Sequence, residues 1–192
     1  MIRSLYDWTL ALAQHPRALW ALALVAFVES SVFPIPPDIL MIPMIVAAPR
    51  RAFLIAAVAS VSSVLGGMLG YGIGLYLYDS VGLPVLEFYG KTGQFETFRT
   101  TYNDWGAWAV LIAGVTPFPY KVITILSGAT GLSLPVFMAA SIVARGLRFF
   151  VVAALLWQFG APIRDFIERR LGLMFTLAMA LLLGGFAAVR YL

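Results

Sequence analysis

Residues 29–38 read ESSVFPIPPD, and they interrupt one of the most apolar parts of the chain. The flanking segments, 18–28 and 39–48, carry no charge at all. Proline locks φ and removes a backbone donor, so Pro34, Pro36 and Pro37 break a helix here. An acid at the centre of a bilayer costs about 2.5–3.5 kcal/mol on insertion scales. Glu29 and Asp38 flank the break, which makes break and acids together the first candidate for function.

Composition sets the solvent. Of 192 residues, 61% are hydrophobic and 11% charged, and the mean hydropathy is +0.92. Soluble domains carry about 25% charged residues, so the chain reads as an integral membrane protein of one domain. Its apolar runs are continuous rather than alternating, which favours helices over a barrel. There is no cysteine, which excludes thiol chemistry. The net charge of +4 includes no basic tract that would suggest nucleic acid.

Residues 18–28 span roughly 16 Å as a helix, half of a hydrocarbon core about 30 Å thick. Residues 39–48 are another half span. Two short arms about a proline break suggest a re-entrant hairpin, and one kinked helix over 18–48 is the rival. A long span follows at 53–78, with Gly66, Gly70 and Gly74 spaced for close helix packing. Residues 79–104 form a polar connector in which Phe95, Phe98 and Tyr102 share a helical face. The pattern then recurs: a half-length arm at 105–115, a break at TPFPYK with Pro117, Pro119 and Lys121, a short arm at 122–130 and a full span at 134–159. Broken helices in corresponding positions of two halves point to a transporter site near the midplane. The expected divisions are an interfacial helix at 1–17, the first hairpin with its span at 18–78, the connector at 79–104, the second hairpin with its span at 105–160 and a last span at 171–190. A cleaved signal peptide fits 1–13 poorly. If the hairpins enter from opposite sides, Arg17, Arg50, Arg51, Arg164, Arg169 and Arg170 share the cytoplasmic side.

Five ionisable residues lie in or beside apolar segments: Glu29, Asp38, Lys121, Arg145 and Arg148. Asp38 is placed to cap the returning half-helix. Glu29 ends a half-helix, where the dipole opposes a carboxylate, so it is the better proton carrier. Lys121 opens a half-helix, where a cation is favoured only if an anion binds between it and the free N–H groups. Arg145 and Arg148 share a helical face and suit phosphate, because guanidinium donors match its oxygens. Salt bridges from these arginines to Glu29 and Asp38 are the plainer reading. A Ser/His dyad and a His-ligated metal centre both lack parts, since the single histidine is His15 beside Pro16. An enzyme, a metal and a cofactor are therefore not expected.

With ESSVFPIPPDILMIP (29–43), GMLGYGIG (67–74), TPFPYKVITILSGATG (116–131) and ARGLRFF (144–150), the chain resembles the DedA superfamily, specifically its YqaA-type branch of SNARE-associated or VTT-domain membrane proteins. The resemblance covers residues 18 to 160. It implies two opposed re-entrant hairpins of inverted-repeat, transporter-like type and movement of lipids between leaflets, including undecaprenyl phosphate recycling and phospholipid scrambling. It also implies dependence on the proton motive force and a place in the bacterial inner membrane. The family's essential acids fall on Glu29 and Asp38, and its paired arginines on Arg145 and Arg148. Many relatives have arginine where this chain has Lys121, a point charge without the planar fork.

The expectation is thus an all-α transporter or scramblase for phosphate-bearing lipids. Glu29 and Asp38 would handle protons, and Lys121, Arg145 and Arg148 would hold phosphate. A homo-oligomer is compatible with this. The alternatives are a small-solute or cation/proton antiporter, and a non-transporting scaffold that supports envelope integrity.

Overall fold

The computed structural model describes residues 17–32, 36–116, 118–160 and 162, and these are helical without a strand. Pro34, Pro117, the expected interfacial helix and the expected last span lie outside them. The described helices are α1 (Ala18–Ser31), α2 (Asp38–Ala47), α3 (Ala52–Leu77), α4 (Leu83–Phe88), α5 (Thr92–Val115), α6 (Tyr120–Ala129) and α7 (Leu134–Gly160).

Among the described residues, two helical stretches are long and apolar enough to cross a membrane: Pro49–Phe88, which contains α3 and α4, and α7. The first does not stop at Asp79, where the polar connector was expected to begin. A wide turn over Tyr78–Gly82 carries it on into α4. Pro84 cannot donate to the carbonyl four residues back, and a widened turn just upstream accommodates that missing bond. Likewise α5 passes through Asp104 and Trp105 without a break, so the arm expected at 105–115 is the second half of a 24-residue helix.

The packing is inverted relative to a soluble protein. Ala18, Leu22, Ala26 and Ser30, four residues apart, form the buried face of α1, and α3 buries Ala52, Ala56, Ala59, Ser63, Gly66 and Gly70. Large apolar side chains point outward instead, among them Trp20 at 79% exposure, Leu24 at 64% and Val61 at 60%. Small residues inside and bulky ones outside suit helices in lipid, where close van der Waals contact rather than water exclusion drives association. An exposed apolar surface this extensive marks contact with a non-aqueous medium.

The glycines set how closely the helices approach. A Cβ at Gly66 would strike the Phe27 carbonyl of α1, and one at Gly74 the Ile125 carbonyl of α6. Gly128 of α6 lies just as close to the Tyr71 carbonyl of α3. One apolar cluster joins the start of α1 (Ala18, Leu22), the end of α2 (Met44, Ile45), the start of α3 and the later part of α7 (Phe149, Ala153). A second joins Tyr102 and Val110 of α5, Tyr120 of α6, Leu132, and Phe137 and Ala140 of α7.

The ends of α5 and α6 have local causes. Thr116 precedes Pro117 and is extended, with φ −78° and ψ 167°, because the proline ring disfavours helical backbone before it. At the far end of α6, Gly131 has φ +67°. Its N–H donates to the Gly128 carbonyl and that of Leu132 to the Ser127 carbonyl, each at 3.0 Å. This closure satisfies the last carbonyls of the helix and requires the left-handed residue that glycine supplies. The Thr130 carbonyl then accepts from Arg99 Nε and Asn103 Nδ2 of α5, both at 2.9 Å.

Candidate functional site: a cluster of acids and arginines

Helix α1 runs to Ser31, so Glu29 lies within its last turn, at the helix end where it was expected. Arg145 Nη2 donates to Glu29 Oε2 at 2.9 Å. Arg145 Nε donates to Ser63 Oγ at 2.6 Å. The same guanidinium lies 4.7 Å from the ring centroids of both Tyr120 and Phe149. Four helices, α1, α3, α6 and α7, therefore meet on one arginine, which retains 1% of its side-chain exposure.

Arg148 is one turn further along α7. Its Nη2 donates to Asp38 Oδ2 at 2.7 Å and its Nη1 to the Thr116 carbonyl at 2.9 Å. It thus ties the start of α2 to the end of α5, one partner from each proline break. Asp38 does not act as the helix cap expected of it. Pro37 occupies the cap position, Asp38 is the first helical residue, and no side-chain cap bond forms. Its carboxylate is instead engaged by the Arg148 guanidinium, in a bond in which both partners are charged. Both members of this pair keep 20% exposure, so it is the more accessible of the two.

Lys121 stands at the start of α6, and its Nζ is 3.4 Å from the Val32 carbonyl. That is long for a hydrogen bond. A cation beside the end of α1 is still favourable, because carbonyl dipoles accumulate there. Thr124, one turn on, donates to the Ser30 carbonyl at 3.0 Å. The start of α6 therefore supplies donors to the end of α1.

Glu29, Asp38, Arg145 and Arg148 are brought together as two crossed pairs, with Lys121 alongside at the end of α1. Among the described residues, no three His, Cys, Asp or Glu side chains come together as a metal site would require. The sequence reading did not single out Ser30, Ser63, Tyr120, Phe149 or Thr124. The serines gave a weak signal, as hydroxyls facing inward from apolar helices. A separate groove of about 450 Å³, lined by Gly74, Tyr78, Val81, Phe95, Ile125 and Ala129, contains no charged group. It is not part of the charged site.

The VTT-domain model matches residues 35–158, a range that holds Asp38, both arginines and the second break. The chain is 35% identical over 169 residues to an uncharacterized protein of Haemophilus influenzae, covering 86% of this chain and 88% of that one. An uncharacterized protein of Histophilus somni is 36% identical, with the same coverage. No solved structure matches the chain significantly. The protein belongs to the VTT-domain family, the SNARE-associated or DedA group, and is a membrane protein of that type.

Proposed function

We propose that this protein moves phosphate-bearing lipids between membrane leaflets, and that its own carboxylates and the lipid phosphate compete for the same arginines, with protons on the acids tipping the balance toward phosphate. The observation carrying this reading is that each carboxylate occupies guanidinium donors that a phosphate would need. While Glu29 and Asp38 are ionised, both arginines are engaged internally. A proton on either acid weakens its pair and frees a planar donor fork, the geometry that best receives phosphate. Loss of the anion lets the pair re-form and returns the proton. Uptake of a proton and capture of a headgroup are then linked through one guanidinium.

The two proline breaks support the re-entrant arrangement with inverted repeats. The start of α1 and the end of α2 share one cluster, as two arms of a hairpin do. Gly114 of α5 lies against Tyr120 of α6, and Tyr102 of α5 bonds Ser127 of α6 at 2.9 Å, which gives a second pair folded back on itself. The Arg148–Asp38 pair, being the more exposed, is the entry point for the headgroup, and Arg145–Glu29 is the proton-linked pair behind it. Lys121 adds positive charge beside that entry.

Headgroup translocation in reconstituted vesicles under a pH gradient tests this. Arg148→Ala and Glu29→Gln should each lose about tenfold or more of the rate, as expected for losing a charged hydrogen bond in the rate-limiting state. Unchanged lipid movement in either variant would reject the mechanism. Movement without any dependence on the gradient would replace coupled transport by scrambling. A scaffold reading is favoured by the internal pairing of both acids. It requires envelope support to survive when lipid movement is lost.

A further inference from the structure

The Arg145–Glu29 pair is closed by a second route through two buried hydroxyls. Ser30 and Ser63 are both fully buried. Their Oγ atoms are 2.6 Å apart, and Ser30 Oγ donates to Glu29 Oε2 at 3.1 Å. The direction of the whole chain follows from chemistry. Arginine only donates, so Ser63 Oγ must accept from Nε. Its own hydrogen is then free for Ser30, the other partner of that oxygen. Ser30, having accepted from Ser63, directs its single hydrogen to the carboxylate. The geometry points to Ser30 and Ser63 as positioning residues that form a one-way relay from Arg145 Nε to Glu29 and hold the carboxylate in its charged, arginine-bound form.

This rests on the proposed proton role of Glu29 and deepens it. The relay ends on an acceptor, so Glu29 Oε2 receives a donor from Ser30 as well as from Arg145. It also fixes the guanidinium at Nε while Nη2 reaches Glu29, so the planar fork is already oriented. The charged and titratable groups around Glu29 are Arg145 and Arg148 of α7, Asp38 of α2, and Tyr120 and Lys121 of α6. Helix α3 contributes hydroxyls and no charged side chain. Ser63 is the α3 side chain that bonds Arg145 and, through Ser30, reaches the carboxylate.

The test is the infrared carboxylate-stretching band of Glu29 in the full chain reconstituted into lipid, with Glu29→Gln assigning the band. Ser30→Ala should shift the band, since a donor to the carboxylate is lost. Ser63→Ala should shift it the same way by less, although Ser63 does not touch Glu29. Ser30→Thr, which keeps the hydroxyl, should restore the original position. Ser60→Ala serves as the control, because Ser60 bonds the Ala56 carbonyl of its own helix at 2.8 Å. An unmoved band in Ser63→Ala, or an equal shift in Ser60→Ala, overturns the relay. A spectrum in which Glu29→Gln removes no carboxylate band overturns it as well. The measurement needs no lipid movement: a chain that shows the shift but moves no lipid refutes transport and leaves the relay standing.

Discussion

Gly74→Ala is expected to lower the thermal unfolding midpoint clearly, whereas Gly72→Ala, two residues away on the same helix, should leave it unchanged or raise it. At Gly74 a Cβ meets the Ile125 carbonyl and the Ala129 amide, both backbone, and backbone cannot rotate aside as a side chain does. The contact is reciprocal, because Gly128 lies against the Tyr71 carbonyl and the Leu75 amide. One methyl group must therefore push α3 and α6 apart along their shared seam. Overpacking of this kind costs roughly 1–3 kcal/mol, and a branched side chain such as valine should cost more. At Gly72 nothing lies within 4 Å, and alanine is the better helix former by about 1 kcal/mol. Unfolding of the solubilised chain followed by circular dichroism separates the two. Equal midpoints would mean that the seam contributes nothing.

The consequence reaches beyond stability. Thr124 lies four residues before Gly128 on α6, and its hydroxyl reaches the Ser30 carbonyl, next to Glu29. Separation at the glycine seam thus withdraws the donor that links α6 to the acid-bearing end of α1. Any movement of α6 against α3 has to pass through this seam. Its small residues permit sliding where larger ones would interlock.

What could be read from the sequence, and what could not, follows physical lines. The proline breaks were legible because they are local: Pro37 and Pro119 act on their own backbone and their neighbours'. The shared face of Arg145 and Arg148 was legible because helical spacing alone fixes it. Glu29 and Asp38 could be named as their partners, but not which arginine takes which acid, since Arg145 and Glu29 are 116 residues apart and Arg148 and Asp38 are 110 apart. No local rule selects between the two crossings. The continuous helix α5 was missed for a different reason. Polarity changes at Asp104–Trp105, and that change reports where the surrounding medium changes rather than where a helix ends. Ser63 was hidden by resemblance to its neighbours. Ser31 and Ser60 bond carbonyls one turn back in their own helices, the ordinary behaviour of serine in an apolar helix. Only the arrival of Arg145 from α7 distinguishes Ser63.

Arg145→Met should destabilise the protein far more than removal of both charges together. In the single variant Glu29 keeps 14% of its exposure but loses its guanidinium. An uncompensated buried charge of this sort costs about 3–5 kcal/mol. The Glu29→Gln/Arg145→Met variant leaves no orphan charge and should recover most of that loss, because well-packed neutral groups often replace a buried ion pair without penalty. A double-mutant cycle on unfolding free energies isolates the coupling, and additive losses would show that the pair is not energetically linked. Arg148→Met should be milder, since Asp38 at 20% exposure can turn toward a more polar surrounding. The doubly neutral variant also separates stability from function. If carboxylate and phosphate share the arginines, it should fold well and move no lipid. A variant that folds well and still moves lipid at the original rate would show that the charges serve neither purpose, and the site would have to be sought elsewhere.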